Sequence, residues 1–139
     1  MMTKTTALNT EKSAFVLFKV AGIQMASSPQ VSSNLIEAER LIKIAAKQGA
    51  KLIVLPEYFC IMGIKDKDKV TVREVFNDGP IQLFLSKMAK KHKVWIIGGT
   101  VPLESDYAHK VRNSCLVYND KGVQVARYDK IHLFGLDLG

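Results

Sequence analysis

From Phe18 to Met25 the chain reads FKVAGIQM, β-type residues in loose alternation that run into the turn-forming stretch Ala26 to Gln30, so a first strand is expected there. Beyond it, Asn34 stands three residues before Glu37, the spacing of a helix capping box. Leu35, Ala38, Leu41, Ile42 and Ala45 then recur at helical intervals up to Gly49, which predicts a helix ending at that glycine. Lys47 and Lys51 lie near its negative end, where the helix dipole favours cations. Lys51 to Glu57 (KLIVLPE) follows, and its unbroken Leu52-Ile53-Val54-Leu55 run predicts a strand buried on both faces. After a loop rich in Lys and Asp, Gly63 to Asp78, the pair Gly79-Pro80 opens a second helix, with Pro80 at a first-turn position where a missing N–H costs nothing. Ile81, Phe84, Leu85 and Met88 supply its apolar stripe, and Val94 to Gly98 (VWIIG) predicts a third buried strand ending at a Gly98-Gly99 turn.

Strand, helix, strand, helix, strand is the order of an α/β fold with a parallel sheet core built by right-handed crossovers. The pattern then changes. Ser114 to Tyr118 and Val123 to Tyr128 are two strand candidates separated by Asn119-Asp120-Lys121-Gly122, a turn signal that makes them an antiparallel hairpin. A mixed sheet with helices on one face is the expected architecture, and no internal repeat, low-complexity segment or interdomain linker interrupts it.

The 139 residues are 47% hydrophobic and 24% charged, the composition of one globular domain. No stretch reaches the roughly 18 to 20 consecutive apolar residues that a membrane-spanning helix needs, so no membrane partner is expected. Residues 1–15 are polar over Met1 to Lys12 and lack the apolar core of a secretory signal; they are expected to form a flexible tail ahead of a domain spanning residues 16–139. Cys60 and Cys115 stand far apart among apolar neighbours, unlike a secreted disulfide framework, which points to a reducing cytoplasm. The formal charge of +7 raises nucleic acid as a partner, since clustered Lys and Arg release counterions from phosphates. The basic residues are instead scattered over helices and loops, and no aromatics interleave with them as a stacking platform requires, so no nucleic-acid partner is expected.

Glu57 is the first candidate for chemistry. It ends an apolar strand where a carboxylate has no packing role, and ligands of open α/β sheets bind outside the carboxyl ends of the strands. Partial burial there would raise its pKa toward that of a useful base; alternatively it simply turns out to solvent. Lys130 is the second, following a strand in YDKIHLF, where a desolvated ammonium could stabilise an oxyanion or a surface lysine could merely snorkel. His132, between Ile131 and Leu133, reads as a hydrogen-bonded packing residue.

LPEYF (Leu55 to Phe59) and YDKIHLF (Tyr128 to Phe134) resemble the Glu and Lys motifs of the nitrilase or carbon-nitrogen hydrolase family. VAGIQM (Val20 to Met25), IIGGTVPLE (Ile96 to Glu104) and RNSCLVYNDKG (Arg112 to Gly122) are similar to family segments in the same order, so the resemblance covers residues 18–139. It implies one half of a four-layer αββα sandwich that assembles into homo-oligomers when full length. It also implies hydrolysis of small amides or nitriles to acid and ammonia, with the amidase-like branch favoured. In that chemistry Glu57 would be the general base, Lys130 would stabilise the tetrahedral intermediate, and a Cys would attack to form a thioester. No cofactor or metal is implied. A thiol of pKa about 8.5 is mostly protonated at neutral pH, so a base beside it raises its reactivity.

The family nucleophile lies tens of residues beyond the Lys, and this sequence continues for only nine residues past Lys130. The domain is therefore expected to stop before its catalytic Cys, and the isolated chain to be inactive. Cys60 as a stand-in nucleophile is weighed against an ordinary small apolar loop residue, and Cys115 is expected in the core. The competing reading from another class is a non-catalytic module that pairs with a second chain through an exposed apolar layer.

Overall fold

The computed structural model describes residues 17–65 and 67–132, and the tail expected over residues 1–15 lies outside them. The order is β1 (Val20–Gly22), α1 (Val31–Lys47), β2 (Leu52–Val54), α2 (Asp68–Thr71), α3 (Pro80–His92), β3 (Trp95–Ile97), β4 (Val101–Glu104), β5 (Val111–Tyr118) and β6 (Gln124–Asp129). Strands β1, β2 and β3 run parallel, with Ala21 beside Ile53 and Ile53 beside Ile96. Strand β5 reverses direction, pairing antiparallel with β3, with β4 and, on its other edge, with β6. The sheet is mixed, as its sequence pattern predicts.

Alternation along each strand sends every second residue to the face that the helices cover. Ile53, Ile96 and Leu116 are fully buried there against Ala38, Ile42, Leu85 and Ala89 of α1 and α3. Burying each such aliphatic side chain contributes about 2 kcal/mol before entropy is counted. The partners of these positions in register, Leu52 with Trp95 and Val54 with Ile97, lie on the opposite face. Leu52, Val54 and Ile97 are only half-buried and Trp95 is 42% exposed, so the expectation of strands buried on both faces is corrected. A continuous apolar strand signals two covered faces, whereas among the described residues only one layer of helices is present to cover them.

The structure departs locally from the sequence pattern at α1, at β1 and β2, and at β4 and α2. Helix α1 begins at Val31, with Gln30 as its N-cap, so Asn34 is not the cap that its spacing with Glu37 suggests. The Asn34 amide instead accepts from Ser28 N–H at 2.8 Å and donates to Ser28 O at 2.7 Å and Cys60 O at 2.9 Å, tying the first turn of the helix to the loop after β2. Strands β1 and β2 are shorter than their apolar runs, and β4 and the one-turn α2 carry no periodic signal at all.

Helix α3 starts at Pro80 as expected, but its cap comes from a distance. The buried Glu74 carboxylate accepts from Ile81 N–H and Gln82 N–H, satisfying two of the donors that a helix start leaves unpaired. Its backbone pairs with Pro102 and Glu104, which ties α3 to β4. Gly79 is required beside it, because a Cβ there would overlap the Glu74 carboxylate.

Candidate active site

The site forms where β2, β3 and β5 meet. Ile97 stands opposite Val117 and Val101 opposite Ser114, so Gly98, Gly99 and Thr100 face only two residues of β5. The extra residue makes a β-bulge, and Gly99 takes the left-handed conformation with φ +52°. A Cβ on Gly99 would collide with Pro56 O, so only glycine lets the bulge press against the turn that follows β2. Thr100 completes the clasp: its Oγ1 accepts from Tyr58 N–H at 3.0 Å and its carbonyl from the Cys60 thiol at 3.4 Å. Tyr58 itself has φ +61°, an uncommon conformation for a bulky residue, held by these contacts and by the buried Phe59 behind it.

Glu57 is thereby fixed at the end of β2, on the side of the sheet that the helices leave open. Lys130 lies directly after β6, its N–H donating to Asn113 O at 2.9 Å as the β5–β6 ladder ends. The Lys130 Nζ donates to Glu57 Oε1 at 2.8 Å. Residues 73 positions apart in sequence thus meet in one ion pair. Asn113, buried on β5, donates from Nδ2 to the same Glu57 oxygen at 3.1 Å. Among the described residues Glu57 Oε2 receives no donor, which leaves one carboxylate oxygen open to an incoming group.

The pair is not desolvated. The Lys130 side chain is 29% exposed and that of Glu57 41%, which corrects the expectation of a desolvated ammonium and leaves the carboxylate partly buried. The hydrogen bond and charge of Glu57 hold the Lys130 ammonium above its ordinary pKa, keeping it cationic. A cavity of about 480 Å³ opens over the pair, lined also by Val54, Ile97, Thr100, Cys115, Tyr128 and His132.

Two further residues stand differently from their sequence reading. Cys115 is half-buried on the open face and borders this cavity instead of sitting in the core; partial burial raises its thiol pKa. His132 is exposed at the rim and is not a packing residue. Cys60 is fully buried, and desolvation pushes its thiol up to about 12, so it has no nucleophilic character. Asn113 and Glu74 escaped the sequence reading. Nothing in the spacing of the polar run Arg112-Asn113-Ser114 singles out Asn113.

A layered α/β domain with a carboxylate, an ammonium and an amide gathered at the strand ends has the form of an enzyme site. Residues 19–138 match the carbon-nitrogen hydrolase family model, and the chain belongs to that family. It is 37% identical over 123 residues to nitrilase homolog 2 of Dictyostelium discoideum, covering 88% of this chain and 37% of that protein. It is 34% identical over 122 residues to the deaminated glutathione amidase of Synechocystis, covering 87% and 44%. The omega-amidase of Homo sapiens is 37% identical over 122 residues, covering 87% and 42%. The chain therefore spans about two fifths of the length of these relatives.

Among solved structures, the NitFhit protein of C. elegans superposes with a TM-score of 0.75 at 25% identity, covering 86% of this chain and 29% of that one. The yeast Nit3 of Saccharomyces cerevisiae superposes with a TM-score of 0.67 at 30% identity, covering 76% and 41%. The fold is one half of the nitrilase-type sandwich. Among the described residues no helix is long and apolar enough to cross a membrane.

Proposed function

We propose that this chain carries the acid–base half of an amide-hydrolysing site, in which Glu57 is the general base and Lys130 stabilises the oxyanion. The observation that carries the reading is the convergence of Lys130 Nζ and Asn113 Nδ2 on one oxygen of Glu57, at the mouth of a cavity on the open face. A carboxylate so held keeps its second oxygen for the proton of a thiol. As the thiolate attacks the amide carbon, the carbonyl oxygen becomes negative, and the Lys130 ammonium is the nearby charge that can meet it. Collapse of the tetrahedral intermediate returns the thiol proton from Glu57 to the leaving nitrogen, expels ammonia and leaves a thioester beside a Glu57 that is again a carboxylate. Water, deprotonated by the same carboxylate, then adds to the thioester and releases the acid and the thiol.

Neither cysteine of the 139 fits the attacking role. Cys60 is sealed in the core, and Cys115 lies on a regular β-strand instead of a strand-to-helix turn that would present its thiol. The nucleophile is accordingly assigned to a segment beyond these residues, and small amides of carboxylic acids are the proposed substrates, by analogy with the amidases among the relatives.

Ammonia release from small amides tests this. The 139-residue chain alone is expected to release none. Joined to the cysteine-bearing segment of a family relative it is expected to turn over, and Glu57→Gln should cut the rate at least about a hundredfold. Release by the chain alone would overturn the assignment of the nucleophile, and undiminished release by joined Glu57→Gln would overturn the base.

A second reading, a non-catalytic module pairing with another chain, draws support from the exposed apolar residues of the open face, Val20, Trp95 and Tyr128. A defined soluble hetero-complex that releases no ammonia would favour it.

A further inference from the structure

Consecutive residues of a strand point to opposite faces, and at the end of β6 that alternation separates two charges. Lys130 reaches across the open face to Glu57, whereas Asp129 stands opposite Ser114 in the register of β5 and β6. Ser114 lies two residues from Leu116, so this is the face that the helices cover. The Asp129 carboxylate is held there by three hydrogen bonds. Its Oδ1 accepts from Ser114 Oγ at 2.7 Å and from Arg127 Nε at 2.8 Å, and its Oδ2 accepts from Arg127 Nη2 at 3.0 Å. The Arg127 fork is bidentate, an arrangement that fixes a carboxylate in direction as well as in distance. Ser114 is fully buried, so its hydroxyl has no water to turn to and the bond is costly to lose. Hydrogen bonding from Arg127 outweighs partial burial and, with that from Ser114, holds the Asp129 carboxyl below the usual carboxylate range.

The anchor is itself braced. Arg127 Cζ lies 4.5 Å from the centroid of Phe76, in the segment between α2 and α3. Arg112 Nη1 stands 3.8 Å from Asp129 Oδ2 while its Nη2 donates to Asp106 Oδ2 at 2.7 Å. Past the ladder the next two residues supply no buried anchor, since Ile131 is 75% exposed and His132 is exposed beside it. Lys130 is therefore held by the bond from its own N–H to Asn113 O and by a neighbour fastened from behind. A group aimed at a reacting oxygen tolerates little drift, because about 1 Å of misplacement can cost about a hundredfold in rate.

Resting on the Glu57–Lys130 reading above, we propose that Asp129 is a positioning residue for Lys130. Clamped by Ser114 and Arg127 on the helix side of the sheet, it holds the end of β6 so that the Lys130 ammonium meets Glu57 on the open side. Asp129 does not line the cavity over the pair and acts only through its neighbour.

The Ser114→Ala, Arg127→Met double variant keeps Glu57, Asp129 and Lys130 and removes all three hydrogen bonds. The Lys130 side-chain carbon, followed by NMR through alkaline pH, reports whether the ammonium still meets its carboxylate. Deleting a nearby positive charge acts through space to raise the Lys130 midpoint, whereas losing the aim at Glu57 lowers it. The opposite signs separate a purely electrostatic effect from a positioning one. In folded double variant the midpoint should fall by at least half of the fall that Glu57→Gln produces. A rise, or a midpoint equal to that of the natural chain, would overturn the proposal. Ser114→Ala alone changes no charge and serves if the double variant does not fold: a smaller fall supports the clamp, and no fall overturns it. Glu57→Gln keeps the two readings apart. If the midpoint falls there and holds in the clamp variants, the pair stands and the positioning role fails; if it holds in Glu57→Gln, the pair is absent and the proposal goes with it.

Discussion

The two faces of the sheet are made from the same aliphatic strands and meet different surroundings. On one, Ile53, Ile96 and Leu116 lie fully buried beneath α1 and α3. On the other, Leu52, Val54 and Ile97 are half-buried, Trp95 is 42% and Tyr128 59% exposed, and the polar groups Asn113, Glu57 and Lys130 gather at one end. The covered face supplies stability, and the open face carries the proposed chemistry. A site built where packing is incomplete retains a cavity and access for a second layer, while the packed layer behind it holds the strands in register.

The sharpest way to break this contrast is to truncate one residue on each face. Ile96→Ala should cost about 3 kcal/mol in urea unfolding, through lost burial and a residual cavity. Trp95→Ala, one residue away on the open side, should cost less than about 1 kcal/mol despite removing a larger side chain. Comparable losses would mean that the open face is packed in solution.

Next in size is the clasp that joins the faces to the site. Gly99→Ala should destabilise the fold by about 2 kcal/mol or more, since it combines a left-handed backbone with overlap on Pro56 O. Gly49→Ala, also left-handed at φ +88° but with open space around it, should cost about 1 kcal/mol. Equal costs would show that the bulge does not press on the Glu57 turn.

The smallest effect is chemical. At pH 8, iodoacetamide should modify Cys115 at least about tenfold faster than Cys60, because the buried thiol must wait for the structure to open. Mass spectrometry of partly alkylated protein reads the order, and reaction at Cys60 first would contradict the burial of the loop after β2.

The covered face was the more legible of the two from sequence. Helical spacing located α1 and α3, and Gly79-Pro80 marked where α3 begins. The Asn119 to Gly122 turn forms as its residues require: the Asn119 side chain accepts from Lys121 N–H and Val123 N–H, and Gly122 takes φ +78°. Strand β4 was illegible because Pro102 breaks a strand pattern and a bulge separates it from β3. Asn34 was misread because its polar side chain serves a tertiary contact, with Cys60 O, that no local spacing encodes.

In the site, Glu57 stood out as a carboxylate ending an apolar strand and Lys130 as a cation following a strand candidate, and family motifs joined them. Asn113 was missed since its role depends on meeting Glu57 across 56 residues of chain.

The claim on which all of this depends is that Glu57 and Lys130 form one charge pair on the open face. Lys130 is the group to watch, because its pKa stands above the ordinary 10.5 through its bond to Glu57. A folded value raised in this way stabilises the protein fully below the unfolded pKa, and the contribution is lost as pH rises through the folded one. Following the Lys130 side-chain carbon by NMR through alkaline pH, in the natural chain and in Glu57→Gln, measures the pair directly. The midpoint should fall toward the ordinary lysine value in the variant; an unchanged midpoint would mean that the carboxylate and the ammonium do not meet.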